Sequence, residues 1–168
     1  MNKIKMVVGI DVSMEDFHAC INVRSDDGSV KIKGTRTFQN TSVGFKELIQ
    51  WVLGRKKDDC TLSFVMEATG VYYEDLADFL YSSKEQVSVV LANKIKNYAK
   101  SINVKTKTDK VDSKIIADFG MERKLDMEAY VTGLQRVAGF LQGITFHKKR
   151  NDQGKKPEAC HDQITWKI

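Results

Sequence analysis

Cysteine is scarce in this chain. Cys20, Cys60 and Cys160 are scattered through 168 residues, odd in number and never in a C-x-x-C pair. That pattern excludes a disulfide framework and a zinc knuckle. Cys160 and His161 are adjacent, but no second such pair completes a metal site. Long apolar runs are also missing. None approaches the roughly 20 residues needed to cross a bilayer. Met1-Asn2-Lys3-Ile4-Lys5 leads straight into a strand pattern, without the apolar stretch and small-residue cleavage site of a signal peptide. These absences predict a cytoplasmic protein with no membrane partner. No internal repeat is present.

A hydrophobic content of 42% and a charged content of 29% suit one globular domain with a real core. The net charge is +5. A basic protein draws polyanions through its field, although charge alone does not assign a partner.

The strand signals come first. Residues 5–11 and 17–23 read as strands, and Asp26-Asp27-Gly28 marks a tight turn before a third strand over 30–38. Thr41 or Ser42 caps a helix whose apolar face is Phe45, Leu48, Ile49 and Val52, and Gly54 stops it. Strand 61–67, helix 73–82, strand 87–91, a short helix over 95–100 and a helix from Asp109 follow. Three meandering strands followed by β–α alternation predict an α/β fold: a mixed five-stranded sheet flanked by helices, of the ribonuclease-H-like type. A composition change near Lys124 divides the chain into a domain over 1–124 and a divergent, partly disordered polar tail over 125–168.

Four acids stand out against this outline. Asp11 ends the run Met6-Val7-Val8-Gly9-Ile10, and Glu67 ends Leu62-Ser63-Phe64-Val65-Met66. Alternation puts Val7, Gly9 and Asp11 on one face of the first strand and Ser63, Val65 and Glu67 on one face of the fourth. Gly9 leaves room beside the carboxylates. Asp109 and Asp112 open the last helix at a spacing shared with Ile116 and Phe119, which puts both on a core-facing stripe. An acid there is costly unless something compensates it. A helix dipole accounts for Asp109, with Thr108 as cap, and less well for Asp112. Oxygen ligands at two strand ends and a helix start suit magnesium or manganese and two-metal phosphate-ester chemistry. Glu15, Asp16, Asp26, Asp27, Asp58 and Asp59 read as solvated turn acids, and Glu74, Asp75 and Asp78 as the wet face of a helix.

Three motifs carry a resemblance: Gly9-Ile10-Asp11-Val12-Ser13, Met66-Glu67-Ala68-Thr69-Gly70-Val71-Tyr72, and the segment from Lys107 to Phe119 that contains Asp109 and Asp112. In this order, over roughly the first 123 residues, the chain resembles the N-terminal domain of the DEDD transposases of the insertion-sequence one-hundred-ten family, which includes the pilin-gene invertase. The resemblance implies a RuvC-like fold. It also implies that Asp11, Glu67, Asp109 and Asp112 are the metal-binding catalytic tetrad of a recombinase acting on DNA. A bridge RNA guide, as in RNA-guided members, and homo-oligomeric assembly are implied in the same way. Lys94 stands where family members often have proline. The family continues into a second domain with a catalytic serine, whereas no serine follows Ser113 here. The expectation is a truncation or frameshift after about residue 124, and no strand exchange by the isolated chain.

Lys94, Lys96, Lys100, Lys105, Lys107 and Lys110, interleaved with Asn97 and Tyr98, surround the path into the last helix. Beside carboxylates they can hold phosphates, or they are an ordinary solvated face. Lys94, Lys96, Lys105, Lys107 and Lys110 are the candidate nucleic-acid contacts. Tyr72 and Tyr73 can stack on a base or close the core, and His18 reads as a packing residue. Two other functions fit parts of the pattern. One is an inactive nucleic-acid-binding remnant. The other is a fragment of an actin- or sugar-kinase-type ATPase, whose first phosphate loop resembles Gly9 to Ser13; the short length and the lack of a second phosphate loop count against it.

Overall fold

The computed structural model describes residues 4–57, 59–104, 109–123 and 125, with 109 and 110 described by their backbone only. The elements are β1 (Ile4–Val12), β2 (Asp16–Arg24), β3 (Val30–Gln39), α1 (Ser42–Leu53), β4 (Cys60–Ala68), α2 (Glu74–Ser82), β5 (Val87–Leu91), α3 (Ala92–Ser101) and α4 (Asp109–Glu122). They form a five-stranded sheet of order β3-β2-β1-β4-β5. β2 is antiparallel to β1 and β3, while β4 is parallel to β1 and β5. This is the mixed sheet of a ribonuclease-H-like fold, as the element order predicts. The boundary at 124 and the tail over 125–168 lie outside the described residues, apart from Leu125.

Local chemistry explains the punctuation. Gly28 takes φ +80 in the β2–β3 turn, a region in which glycine carries no Cβ penalty. Asp27 Oδ1 accepts from the Ser29 backbone N–H at 2.9 Å and from its hydroxyl at 2.7 Å. Thr41 Oγ1 accepts from the Gly44 N–H at 3.3 Å and caps α1. Gly54 follows α1 in a right-handed conformation, φ −63, instead of the left-handed stop that its glycine suggests. Arg55 helps end the helix there, donating to the Trp51 carbonyl at 3.0 Å with its guanidinium 4.9 Å from the Trp51 ring centre. α3 begins at Ala92, directly after β5 and earlier than the apolar spacing from Ile95 suggests.

Alternation divides the strands between two cores. Met6, Val8 and Ile10 of β1 join Leu62, Phe64 and Met66 of β4 under α1 and α2. Val7 and Val65 pack on the other face with Ile95, Tyr98, Ile115, Ile116 and Phe119 of α3 and α4. Glu74 and Asp78 of α2, expected on its wet face, are half-buried, whereas Asp75 is exposed as expected.

α4 sits unusually close to β1. A Cβ built on Gly9 would collide with the Ala117 backbone nitrogen and the Ser113 carbonyl oxygen, and would lie 2.7 Å from the Ala117 Cα. One on Gly120 would lie 2.7 Å from Val65 Cγ2 and 2.9 Å from Val7 Cγ1. The space that Gly9 leaves is therefore filled by helix backbone and not kept open beside the carboxylates. The line of α4 pressed on β1 is Ser113, Ala117 and Gly120. Ile116 and Phe119 are buried to its side, and Asp112 is half-buried.

Polar anchors hold the helix in place. Lys5 Nζ donates to the Gly120 carbonyl at 2.8 Å, and Arg24 donates to the Met121 carbonyl at 3.1 Å. These cations satisfy carbonyls in the last turn and oppose the negative end of the helix dipole. Asn22, fully buried on β2, donates from Nδ2 to Asp118 Oδ1 at 2.6 Å. Burial raises the Asp118 carboxyl above its ordinary value, against the opposing pull of Lys114 and Asn22. Burial also pushes the Cys20 thiol up to about 11, helped by Asp118.

Two predictions follow from this packing. Gly9→Ala gains no helix propensity and meets rigid backbone, so it should cost about 3 kcal/mol or more. Gly120→Ala should cost clearly less, because about 1 kcal/mol of helix propensity offsets its clash with two valine methyls. Urea unfolding of both variants checks the order. Asp118 binds its proton more tightly folded than unfolded, so its contribution to stability falls as pH rises from about 3.9 through its higher folded value. Asp118→Asn keeps an acceptor for Asn22 and removes this fall. Its stability relative to the native chain should rise with pH across that window and level off above it, as a pH series of urea melts would show.

Candidate functional site

The direction of α4 decides which residues meet. Gly120 lies over Val7 and its carbonyl receives Lys5, while Ser113 and Ala117 lie over Gly9. The helix therefore runs antiparallel to β1, and its first turn, with Asp109 and Asp112, lies at the end of the sheet where β1 carries Asp11. β1 and β4 pair in parallel as far as Ile10↔Met66. Asp11 and Glu67 are each one residue beyond that pair, at the same end of neighbouring strands. Alternation turns both to the α4 face, and both are half-buried.

Asp112 is half-buried in the first turn of α4, and the side chain of Asp109 lies outside the described residues. Among the described residues, no three His, Cys, Asp or Glu side chains are arranged to hold a metal ion. The structure thus brings Asp11, Glu67 and the start of α4 to one end and one face of the sheet, without a three-carboxylate cage among the side chains it describes.

The loops behind the strand acids are fastened to each other. Asn40, just after β3, donates from Nδ2 to the Ser13 carbonyl at 2.9 Å and to the Tyr72 carbonyl at 3.1 Å. Its backbone N–H donates to the Glu15 carbonyl at 2.9 Å. Ser13 follows β1 two residues after Asp11, and Tyr72 lies in the loop five residues after Glu67. Ser13 Oγ bonds to Asp16 Oδ1 at 2.8 Å, so Asp16 helps build the β1–β2 turn and is half-buried instead of simply solvated. Thr69 Oγ1 donates to Glu67 Oε1 at 2.9 Å. Sequence reading misses Asn40. A single asparagine after a strand carries no motif, and its partners are main-chain carbonyls distant in sequence.

The paired tyrosines separate. Tyr73 is buried in the α1–α2 core, whereas Tyr72 is exposed, as are Val71 and Met14. His18 is half-buried and is the cross-strand partner of Asp11, on the α4 face. Lys94 and Lys96 are exposed on α3, whose first residue follows Leu91, the partner of Ala68 beside Glu67. Lys94, Asn97, Tyr98 and Ser101 of α3 face Phe119 and Arg123 across an open cleft of about 370 Å³. Lys105 and Lys107 lie outside the described residues, as does the side chain of Lys110. No described helix is long and apolar enough to cross a membrane.

Comparison with known proteins places these features in context. The transposase family DEDD_Tnp_IS110 matches residues 8–139, a span that continues past position 124. The pilin gene-inverting proteins of Moraxella bovis and Moraxella lacunata are each 34% identical over 137 residues, which cover 77% of this chain and 41% of the relative. The chain thus spans less than half the length of these relatives. Among solved structures, Thermus thermophilus RuvC is 10% identical with a TM-score of 0.49, over 67% of this chain and 90% of that one. The fowlpox virus Holliday junction resolvase is 12% identical with a TM-score of 0.42, over 68% of this chain and 94% of that one. The family match covers most of the chain and takes in all four acids, and the chain belongs to the DEDD transposase family of the IS110 type.

Proposed function

We propose that this chain is the metal-dependent catalytic domain of a DNA transposase or recombinase, with Asp11, Glu67, Asp109 and Asp112 as the ligands of magnesium or manganese at the DNA strand to be cut. The observation that carries this reading is the meeting of Asp11 and Glu67, at one end and on one face of β1 and β4, with the first turn of α4. The donor chemistry fits the ion, since hard divalent cations favour carboxylate oxygens. A bound ion supplies Lewis-acid activation of the phosphoryl group and a more acidic attacking hydroxyl or water.

The chain's own residues set the stage for that chemistry. Thr69 orients Glu67, and Asn40 holds the loops behind Asp11 and Glu67 together. Lys94 and Lys96, with Lys105, Lys107 and Lys110, would bind the phosphates of the incoming nucleic acid. DNA is the substrate in this reading, as the gene-inverting activity named for the relatives suggests. A guide RNA and a homo-oligomer belong to the same proposal.

A second reading is a nucleic-acid-binding domain without chemistry. It draws on the lack of a three-ligand cage among the described side chains.

Melting temperature separates the two. Magnesium or manganese should raise the melting temperature of the full chain, at about 2–4 °C for each kcal/mol of binding. Asp11→Asn with Glu67→Gln should abolish most of that rise. The same metal response in the double variant would favour the second reading. Asn40→Ala removes two hydrogen bonds and should cost about 1–2 kcal/mol of stability. It should also shrink the metal-induced rise, because the strand-end loops are no longer tied. An undiminished rise would show that the loops do not position the carboxylates.

A further inference from the structure

A second polar concavity adjoins the acids and takes no part in the reading above. It is a cleft of about 190 Å³ lined by His18, Ala19, Thr35, Arg36, Thr37 and Ser113. Strand register explains how it forms. Thr37 pairs with His18 and Thr35 with Cys20, so these side chains share the sheet face that carries Asn22 and meets α4. β3 is the edge strand, and α4 crosses over β1 and β2 without reaching its outer side. The uncovered strip between Ser113 on α4 and the threonines on β3 is the cleft.

Its chemistry is that of an anion site. Threonine hydroxyls and an imidazole N–H donate hydrogen bonds without adding fixed charge. Lys114, next to Ser113 on α4, is near enough to oppose the raised values of Cys20 and Asp118, which puts a cation above this part of β2. The Arg36 guanidinium is turned to the opposite face, where it meets Glu47 at 3.4 Å and lies 4.8 Å from the Phe38 ring centre. Position gives the cleft its meaning. His18 is the direct cross-strand partner of Asp11, and opposed residues in an antiparallel pair have Cβ atoms about 4.5–5.5 Å apart. A strand whose reacting phosphate lay at Asp11 would pass a neighbouring phosphate over His18 and the threonines.

We propose that this cleft is a phosphate subsite for the DNA strand, in which the Thr35 and Thr37 hydroxyls and the His18 imidazole hold the phosphodiester next to the one at the carboxylates. The proposal rests on reading those carboxylates as the site of DNA chemistry. It assigns the β3 edge to substrate positioning.

The test is anisotropy titration of the full 168-residue chain with fluorescein-labelled DNA over a salt series. Thr35→Val with Thr37→Val keeps the β-branched shape and removes both hydroxyls. It should weaken binding about tenfold, in line with the loss of hydrogen bonds to a charged group. Hydroxyls displace no counterions as lysines do, so the slope of affinity against salt should stay unchanged. Thr35→Ser with Thr37→Ser restores the hydroxyls and should restore affinity. Replacing one phosphate by a neutral methylphosphonate, position by position, should find a single linkage at which the valine variant no longer differs from native.

Native-like affinity in the valine variant would overturn the subsite. So would a serine variant that binds as weakly as the valine one, or a loss spread evenly over all linkages. The magnesium response of the melting temperature is read on the same valine variant. If it persists while DNA affinity is native-like, the subsite fails and the carboxylate reading stands. If it is absent in the native chain as well, the carboxylate reading fails separately.

Discussion

The contact between α4 and Gly9 is the constraint on which the rest depends. A helix normally rests on a sheet through its side chains, at a distance set by their bulk. Here glycine on β1 and a line of Ser113, Ala117 and Gly120 on α4 let backbone meet backbone. That approach does more than bury area. It fixes the height of the helix above the sheet and, with Lys5 bound to the Gly120 carbonyl, its direction. Lifting the helix by the width of a methyl group would separate the first turn of α4 from the ends of β1 and β4. Asp11, Glu67 and the first turn of α4 are thus linked through a residue that carries no chemistry.

The other end of the helix is held by charge and hydrogen bonds. Lys5 and Arg24 come from adjacent strands and converge on the last-turn carbonyls, while Asn22 reaches Asp118. A buried carboxyl such as Asp118 is an expensive anchor, and its raised affinity for a proton records the cost. An apolar pair would be cheaper in free energy but would let the helix slide. Apolar contacts are non-directional, whereas one amide aimed at one carboxyl selects a single register.

Much of this was legible from residue order alone, and what was missed has a common cause. Strand alternation placed Asp11 and Glu67 on one face, and Asp-Gly marked the β2–β3 turn, because both signals are local. The seat of α4 was not legible. The spacing of Ile116 and Phe119 is a stronger apolar signal than Ser113, Ala117 and Gly120, yet small residues make the closest approach. Asn40 was invisible because its partners, the Ser13 and Tyr72 carbonyls, are main-chain groups brought near only by the fold. Tyr72 and Tyr73 are chemically alike, and only the start of α2 decides which of them turns inward.

Three separate constraints therefore set the geometry at the strand ends. Parallel register fixes Asp11 against Glu67 along the sheet, the glycine seat fixes α4 above them, and Asn40 ties the two loops that follow them. Clustered carboxylates repel, so left to themselves they would drift apart into solvent. Holding them on rigid elements means that the cost of bringing them together is met during folding, before any cation or polyanion arrives. Groups held in this way need no further ordering when a ligand arrives. Exposed Lys94 and Lys96 stand on α3, an element separate from β1 and β4, which carry Asp11 and Glu67. The chain as a whole carries a net charge of +5 and still sets Asp11 and Glu67 at the same end of neighbouring strands.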